Sequence, residues 1–566
     1  MSDVFFLVLR RLRTPLIVLI CVYAIATIGM TLIPGEDDQG QVFYMSVFQA
    51  FYFVSFMGTT IGFGEIPYEF TDTQRIWVLL CIYTSVVAWL YGIGRVLRLV
   101  QDDTFLGAVA HQSFRRSIKR INQPFYIICG YGETGSLIAQ GLADLSLKTV
   151  IIDMDKERTG SLELETLAIA PIVLNADATQ ANNLLDAGIN DPLCSGVIAV
   201  TKSDHTNLKV AVAAKLISPS TRVICRSDYE DEAKNMASFG TDDIINPYLT
   251  FGRRLSLLCE NPQLYRVHNW FINQHSSEHI EDRVSIDGLP RGKWIICGYG
   301  RLGKAIHKHL NSDQFEVVVV DPDPTLSFAP PGAIVGRGTE AETLVQAGID
   351  DANVLVAASD DDANNLSVLI TARQLKQDVL TIGRVSREAD HTLFVRAKCD
   401  YIMRRSQVVA NEALTVISRP LVTRFLQYSS CLTEQDTSDL IERICTLSPD
   451  SDPATRRLII DNKHAPAIAS TIQDGRSITV RQLCHHPDYA SGEAIPLLLM
   501  RDGMSHIMPK DETELRYQDE LLLCAARDKK LLAERLSNNI ELLDTLINNN
   551  SHSIPLLRWL KRRRSI

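Results

Sequence analysis

Residues 125–142, "FYIICGYGETGSLIAQGL", return at residues 293–310 as "KWIICGYGRLGKAIHKHL". Gly130 and Gly298 are 168 residues apart, as are Asp153 and Asp321. Further along, "LLDAGINDP" recurs as "LVQAGIDDA" at an offset of 160, and "AVTKSDHTNL" as "AASDDDANNL" at 158. An offset that shrinks in small steps is the mark of loop deletions inside a duplicated unit, so the chain carries an internal repeat.

Each copy begins with an apolar strand and continues into glycine-x-glycine-x-x-glycine: Gly130, Gly132 and Gly135 around Glu133 and Thr134, then Gly298, Gly300 and Gly303 around Arg301 and Leu302. A helix and a second strand ending in Asp153 or Asp321 follow. Glycines at this spacing let a backbone approach a pyrophosphate at a helix N-terminus, and the acid meets a ribose hydroxyl. Such an acid disfavours a 2′-phosphate, which points to NAD or an ADP/AMP-type nucleotide. Lys156 and Arg158 near the first acid leave that exclusion incomplete. Neither copy is followed by an acid–base constellation or a substrate domain of dehydrogenase size, so binding without turnover, and no enzyme activity, is expected.

Upstream of the repeat the composition changes. Residues 14–35, 42–64 and 76–94 carry no charge, and no run of that length follows Arg95. Thr14–Gly35 and Ile76–Gly94 are each near the roughly 20 residues of a spanning helix. Arg10, Arg11 and Arg13 precede the first, and Arg95, Arg98, Arg115, Arg116, Lys119 and Arg120 follow the second, which puts both chain ends on the cytoplasmic side of the plasma (inner) membrane. A cleaved leader is disfavoured because no small-residue cleavage pattern follows the first run. A net charge of −10 argues against general nucleic-acid binding, so the basic "RWLKRRRSI" end reads as solvated or membrane-facing. Twelve cysteines fall in no metal-ligand spacing, and Cys129 and Cys297 read as core residues.

The middle run, 42–64, cannot span without placing the two basic flanks on opposite sides, so it reads as re-entrant: a short helix over 43–57 leading into "GTTIGFGE" at 58–65. Irregular backbone at membrane depth is tolerated only where it is buried or lines an aqueous path. Gly62 and Gly64 alternate with Ile61 and Phe63, and glycine reaches left-handed conformations that turn successive carbonyls to one side. Four copies around an axis would stack carbonyl rings from Thr60, Ile61, Gly62 and Phe63, with the Thr60 hydroxyl adding another, in place of a cation's water shell. Gly92 and Gly94 in the second span suit either a hinge or close helix packing, and Val96, Leu97 and Val100 would stand at the cytoplasmic mouth as an apolar gate.

"TTIGFG" resembles the potassium-channel filter signature, and the order of span, pore helix, filter and span resembles the two-span channel family. Phe63 stands where that signature has a tyrosine, removing a hydroxyl tether, and Glu65 where aspartate is commoner. The resemblance implies K+ coordinated at Thr60, Ile61, Gly62 and Phe63. The repeats resemble the RCK domain, the regulator of potassium conductance: "NADAT" at 175–179 and "ICRS" at 224–227 stand where that family contacts adenosine and phosphate. Arg337 of "GRGT" replaces Asp177 in the second copy, so the two pockets need not share a ligand. Arg226 and Arg384, 158 apart, follow equivalent strands and read either as phosphate contacts or as surface salt bridges. The acidic runs "DYEDE" at 228–232 and "SDDDANN" near 360–365 read either as a solvated face or as Ca2+ ligands, which other family members use.

The expected architecture is an all-α two-span pore domain with re-entrant helix and filter (1–100), a linker (101–121), and two α/β Rossmann-like RCK domains (122–288 and 289–420). A smaller β-rich lobe with a basic tail completes it (421–566). The family resemblance implies a homotetramer in a lipid membrane whose RCK domains form a ligand-gated ring. A non-selective cation channel and a membrane-anchored NAD-dependent oxidoreductase are the rival readings.

Overall fold

The computed structural model describes residues 3–62, 64–162, 167–272, 288–310, 313–448, 453–485, 493–527 and 531–547. Phe63, the 273–287 connection and the basic tail therefore lie outside the described residues. The chain divides into two compact units, Met1–Ile121 and Asn122–Ile566.

The first unit is helical: α1 (Asp3–Leu32), α2 (Val47–Gly58), α3 (Asp72–Val100) and α4 (Asp103–Ile118), with a two-residue antiparallel pair, β1 (Gly35–Glu36) and β2 (Val42–Phe43), before α2. The first helix begins before its uncharged run and stops at Leu32, the second extends past its run at both ends, and Leu12–Leu32 and Asp72–Val100 are long and apolar enough to cross a membrane. The short helix expected over 43–57 starts at Val47 rather than at 43, because Val42 and Phe43 pair with β1 and Ser46 caps the helix through a reciprocal box with Gln49. The aromatic face of α2 is what α1 and α3 hold: Phe53, Val54 and Phe56 pack with Ala26, Met30, Phe70 and Cys81. Gly29 makes the crossing of α1 and α3 close, since a Cβ there would lie 2.1 Å from the Trp77 ring. Outward, Leu16, Ile20, Ile25, Ile28, Ile76, Leu79, Leu80 and Leu90 are exposed, which is the surface a bilayer covers.

The second unit contains the duplication as two six-stranded parallel sheets. The first copy supplies β3 (Phe125–Cys129), β4 (Lys148–Asp153), β5 (Ile172–Asn175), β6 (Cys194–Ala199), β7 (Val223–Arg226) and β8 (Asp243–Ile245) in the order β5-β4-β3-β6-β7-β8. The second supplies β9 (Gly292–Cys297), β10 (Phe315–Asp321), β11 (Ile334–Val335), β12 (Val354–Ala357), β13 (Leu380–Val385) and β14 (Tyr401–Arg404) in the equivalent order. Ile127, Ile128 and Cys129, like Ile295, Ile296 and Cys297, are buried because helices cover both faces of such a sheet. Burial pushes the Cys225 and Cys297 thiols up to about 12, so they are core groups rather than reactive ones.

The two copies exchange a helix. The helix after β8, Pro247–Glu260, places Tyr248, Leu255, Leu258 and Cys259 in the core of the second copy, against Leu302 and Ile306. The helix after β14, Arg405–Ser418, places Val409, Ala410, Ala413 and Leu414 in the core of the first, against Ile138 and Leu142. Each buried aliphatic side chain is worth about 1.5–3 kcal/mol as an upper estimate, so neither copy keeps a complete core without the other.

The C-terminal lobe departs from the β-rich expectation. Its sheet, β15 (Pro453–Ile459), β16 (Ile495–Arg501), β17 (Met504–Ile507) and β18 (Glu520–Ala526), is antiparallel in the order β15-β18-β16-β17 and uses the three apolar runs legible in the sequence. Helices hold more of the described lobe than strands do. Segments such as Glu434–Leu447 bury only one stripe, Leu440, Ile441 and Ile444, among charged neighbours, and so lack an apolar run.

Candidate functional site

The glycine-rich turns sit at the C-terminal ends of β3 and β9, where each sheet reverses its strand order. The three glycines of each motif have different reasons to be glycine. Gly130 and Gly298 have φ of 101° and 96°, and a Cβ would press on the backbone of Thr201 or Ser359. At Gly135 and Gly303 a Cβ would lie 2.1 and 2.2 Å from the carbonyl oxygens of Gly130 and Gly298. The middle glycines are free of such constraint among the described residues: a Cβ at Gly132 would have only an Arg158 nitrogen within reach, at 3.9 Å, and one at Gly300 would meet nothing within 4 Å. Backbone left bare at the head of a helix, with no protein atom needing the space, is what an incoming pyrophosphate requires. Thr134 and Leu302, second in each helix, are buried and serve packing.

The two strand-end acids hold this turn shut. Asp153 accepts the Tyr131 amide at 2.5 Å and the Asp155 amide at 2.8 Å; Asp321 accepts the Tyr299 amide at 2.7 Å and the Asp323 amide at 3.0 Å. Each acid thus ties its strand to the residue between the first two glycines. Asp177 turns its carboxylate on the amide and hydroxyl of Thr179, whereas the equivalent Arg337 is exposed and, among the described residues, has no ion-pair partner. The difference in charge between the two pockets is therefore present in the folded chain.

Arg226 and Arg384 correct the surface-salt-bridge reading. Both lie within their strands and are 2% exposed. Arg226 donates two bonds to the Asp228 carboxylate, at 2.9 and 2.8 Å, and Arg384 pairs with Asp360 and donates to the Tyr248 hydroxyl at 3.1 Å. Arg301, first residue of the second cradle's helix, joins the two copies by reaching Asp228 at 3.1 Å and Asp360 at 3.0 Å, and Arg405 reaches Asp228 at 3.4 Å. Burial works against the charge of Asp360, yet Arg384 and Arg301 hold its carboxyl below the usual range. In the first copy Glu133 occupies the Arg301 position and likewise crosses over, accepting from the Ser406 hydroxyl and the Glu388 amide. Sequence reading had no access to these partners, which lie up to 273 residues away.

The acidic runs have other commitments than a metal. Asp228 and Asp360 serve arginines, Asp361 caps a helix through the Asn364 amide, and Asp362 accepts the Ser386 and Arg387 amides. Among the described residues no group of three or more His, Cys, Asp or Glu is placed to hold an ion. A cleft of about 690 Å³ lies between the exchanged helices, lined in part by Arg253, Arg254, Lys308, His309 and Glu412. His268 also lines it; burial takes its pKa down to about 3, so it is neutral and bonds Ser429 Oγ at 2.7 Å.

In the first unit, the C-terminus of α2 opens directly into residues 59–64. Thr60, Gly62 and Gly64 have φ of 65°, 67° and 103°, a left-handed conformation at every second residue. The glycines signal it in the sequence, but Thr60 does not, because an L-residue pays about 1–2 kcal/mol to adopt it. The amides of Thr60 and Ile61 bond the Met57 and Phe56 carbonyls at 3.1 and 2.9 Å, so the helix end fixes where the strand starts. A helix C-terminus carries partial negative charge, which favours a cation there. Gly92 and Gly94 lie in unbroken helix, and no described residue comes within 4 Å of a Cβ at either; Val96, Leu97 and Val100 are exposed on the last turns of α3.

The doubled glycine cradle on doubly wound sheets defines a protein with two nucleotide-type Rossmann units behind an apolar helical segment. The TrkA-N domain family matches both units, at residues 126–247 and 294–405. Potassium channel protein 1 of Methanocaldococcus jannaschii is 25% identical over 48% of this chain and 77% of its own length. Probable potassium channel protein 2 of the same organism is 24% identical over 42% of this chain and 67% of its own. The solved GsuK channel bound to NAD aligns over 97% of this chain and 99% of its own at 15% identity, with a TM-score of 0.45. Residues 126–247 and 294–405 are thus TrkA-N domains, and over about half its length the chain is similar to potassium channel proteins.

Proposed function

We propose that this chain forms a homotetrameric, potassium-selective channel whose opening is set by a nucleotide, NAD or an ADP/AMP-type ligand, bound to its RCK domains. The observation that carries the reading is the left-handed backbone at Thr60, Gly62 and Gly64, a conformation suited to turning carbonyls to one side, in a segment that starts at a helix C-terminus. Carbonyls from Thr60, Ile61, Gly62 and Phe63 of four chains replace the hydration shell of K+, and the Thr60 hydroxyl adds a further ring. Gly132 and Gly300 receive the pyrophosphate, with Asp153 and Asp321 on the ribose. Arg226, Arg384 and Arg301 act through the contact between the copies. The termini and the RCK part are cytoplasmic, residues 101–121 transmit the movement to α3, and the apolar ring of Val96, Leu97 and Val100 closes the path.

A ligand shifts this equilibrium only by its differential affinity for the open and closed states. A preference of about 1 kcal/mol per chain sums to roughly 4 kcal/mol over four, enough to carry open probability through most of its range. No turnover is needed, and no enzymatic role is assigned. The test is current or flux from purified protein in lipid vesicles under a potassium/sodium gradient. A reversal potential near that of potassium supports the reading; one near zero favours a non-selective cation channel.

A further inference from the structure

We propose that the ion pair between Glu65 and Arg75 is the outer anchor of the conducting strand, and that Arg75 is thereby a positioning residue for ion selectivity. This rests on the pore reading above. The strand 60–64 is fixed at its inner end by the helix-end carbonyls that hold the Thr60 and Ile61 amides. A segment with left-handed backbone at Thr60, Gly62 and Gly64, one of these an L-threonine, relaxes unless the other end is also held. The side chain of Phe63 offers no donor for that purpose.

Glu65 supplies the hold. Its Oε1 accepts Arg75 Nε at 2.9 Å, and its Oε2 accepts Arg75 Nη2 at 3.0 Å and the Phe70 amide at 2.8 Å. The fork-to-fork geometry fixes direction as well as distance. Both partners are themselves fixed. Arg75 lies in the first turn of α3, behind the Thr71–Gln74 capping box, and the Phe70 ring stands edge-on to Phe53 of α2 with centroids 4.8 Å apart. Through one carboxylate the strand's outer end is thus tied to α2 and α3 together.

The pair is partly exposed, 51% for Arg75 and 35% for Glu65, so its worth to folding is small. Its effect belongs in conduction, where four such anchors act on one set of carbonyl rings. Two further acids face Arg75: Asp72 at 3.8 Å and Glu69. They steady its charge without replacing the fork. The hydrogen bonds from Arg75 and then the Phe70 amide hold the Glu65 carboxyl below the usual range.

The experiment compares wild-type full-length protein in vesicles with R75Q, R75K and the charge-swapped double variant E65R/R75E. The readouts are potassium flux, potassium/sodium discrimination and thermal unfolding. R75Q is expected to lose about tenfold in sustained potassium flux or in discrimination with little change in unfolding temperature. R75K should fall between, since an ammonium cannot make the fork, and the swap should recover part of the loss. A conducting wild type beside an R75Q that conducts and selects equally well overturns the proposal while leaving the channel intact. Wild-type protein that passes no potassium overturns the pore reading and the proposal together. Should R75Q fail to assemble, E65Q decides, since it keeps an acceptor for the Phe70 amide and loses the charged fork: a comparable loss of flux or discrimination supports the anchor, and wild-type conduction overturns it.

Discussion

Asp153 and Asp321 show how one side chain serves fold and ligand together. Each carboxylate already holds two backbone amides, one of them from the glycine turn, and in the proposed function its remaining lone pairs meet a ribose. D321A is therefore expected to weaken nucleotide binding at the second copy alone and to cost about 2 kcal/mol of stability, whereas D321N, with one acceptor oxygen in place of two, keeps one of the two amide bonds, costs about 1 kcal/mol and also weakens binding. Calorimetry with thermal unfolding separates the two; unchanged binding in D153A and D321A would sink the ribose assignment. Asp228 is the harsher site, because it neutralises Arg226, Arg301 and Arg405 at once. D228N should cost about 3–5 kcal/mol, as breaking a buried ion pair does, and R301Q, which leaves Asp228 two partners, about 1 kcal/mol. The buried indole of Trp294 is a fluorescence reporter for both. At this scale the sequence shows residue types with a stated geometric need, the glycines and the strand-end acids. It hides those whose role depends on a distant partner, as Arg384 depends on Tyr248 across 136 positions.

At the scale of elements, the repeat made the two sheets legible, because strand, glycine turn, helix and acid recur in fixed order. The helix exchange was not legible, since an apolar stripe on 247–260 reads the same whichever copy it covers. Its contacts are testable through two glycines. A Cβ at Gly252 would lie 2.9 Å from the Ala305 carbonyl oxygen, which cannot give way, whereas at Gly141 the obstacle is the mobile end of Leu414. G252A is expected to destabilise by about 2 kcal/mol, and G141A to be near neutral because alanine's better helix propensity, about 1 kcal/mol, offsets the crowding. Equal unfolding temperatures for the two variants would contradict the exchanged packing. The lobe's helices escaped the sequence reading for a simpler reason: their stripes are short and interrupted by charge, while its strands are unbroken apolar runs.

At the scale of the whole molecule, the account joins a cation path in one unit to a pair of nucleotide cradles in the other. The cradles are joined to each other by the exchanged helices and by Arg301, the contact on which the proposed ligand would act from either copy. Full coupling to the pore also requires that the ligand distinguish two states of the assembled chain, which no single residue reveals. The most direct measurement is single-channel recording from wild-type protein in bilayers while NAD or ADP is stepped on the cytoplasmic side, repeated with D153A and D321A. A potassium-selective current whose open probability changes with nucleotide, by an amount each substitution reduces, is the predicted result. A potassium current indifferent to nucleotide in all three proteins would contradict the claim that the doubled cradle governs the pore.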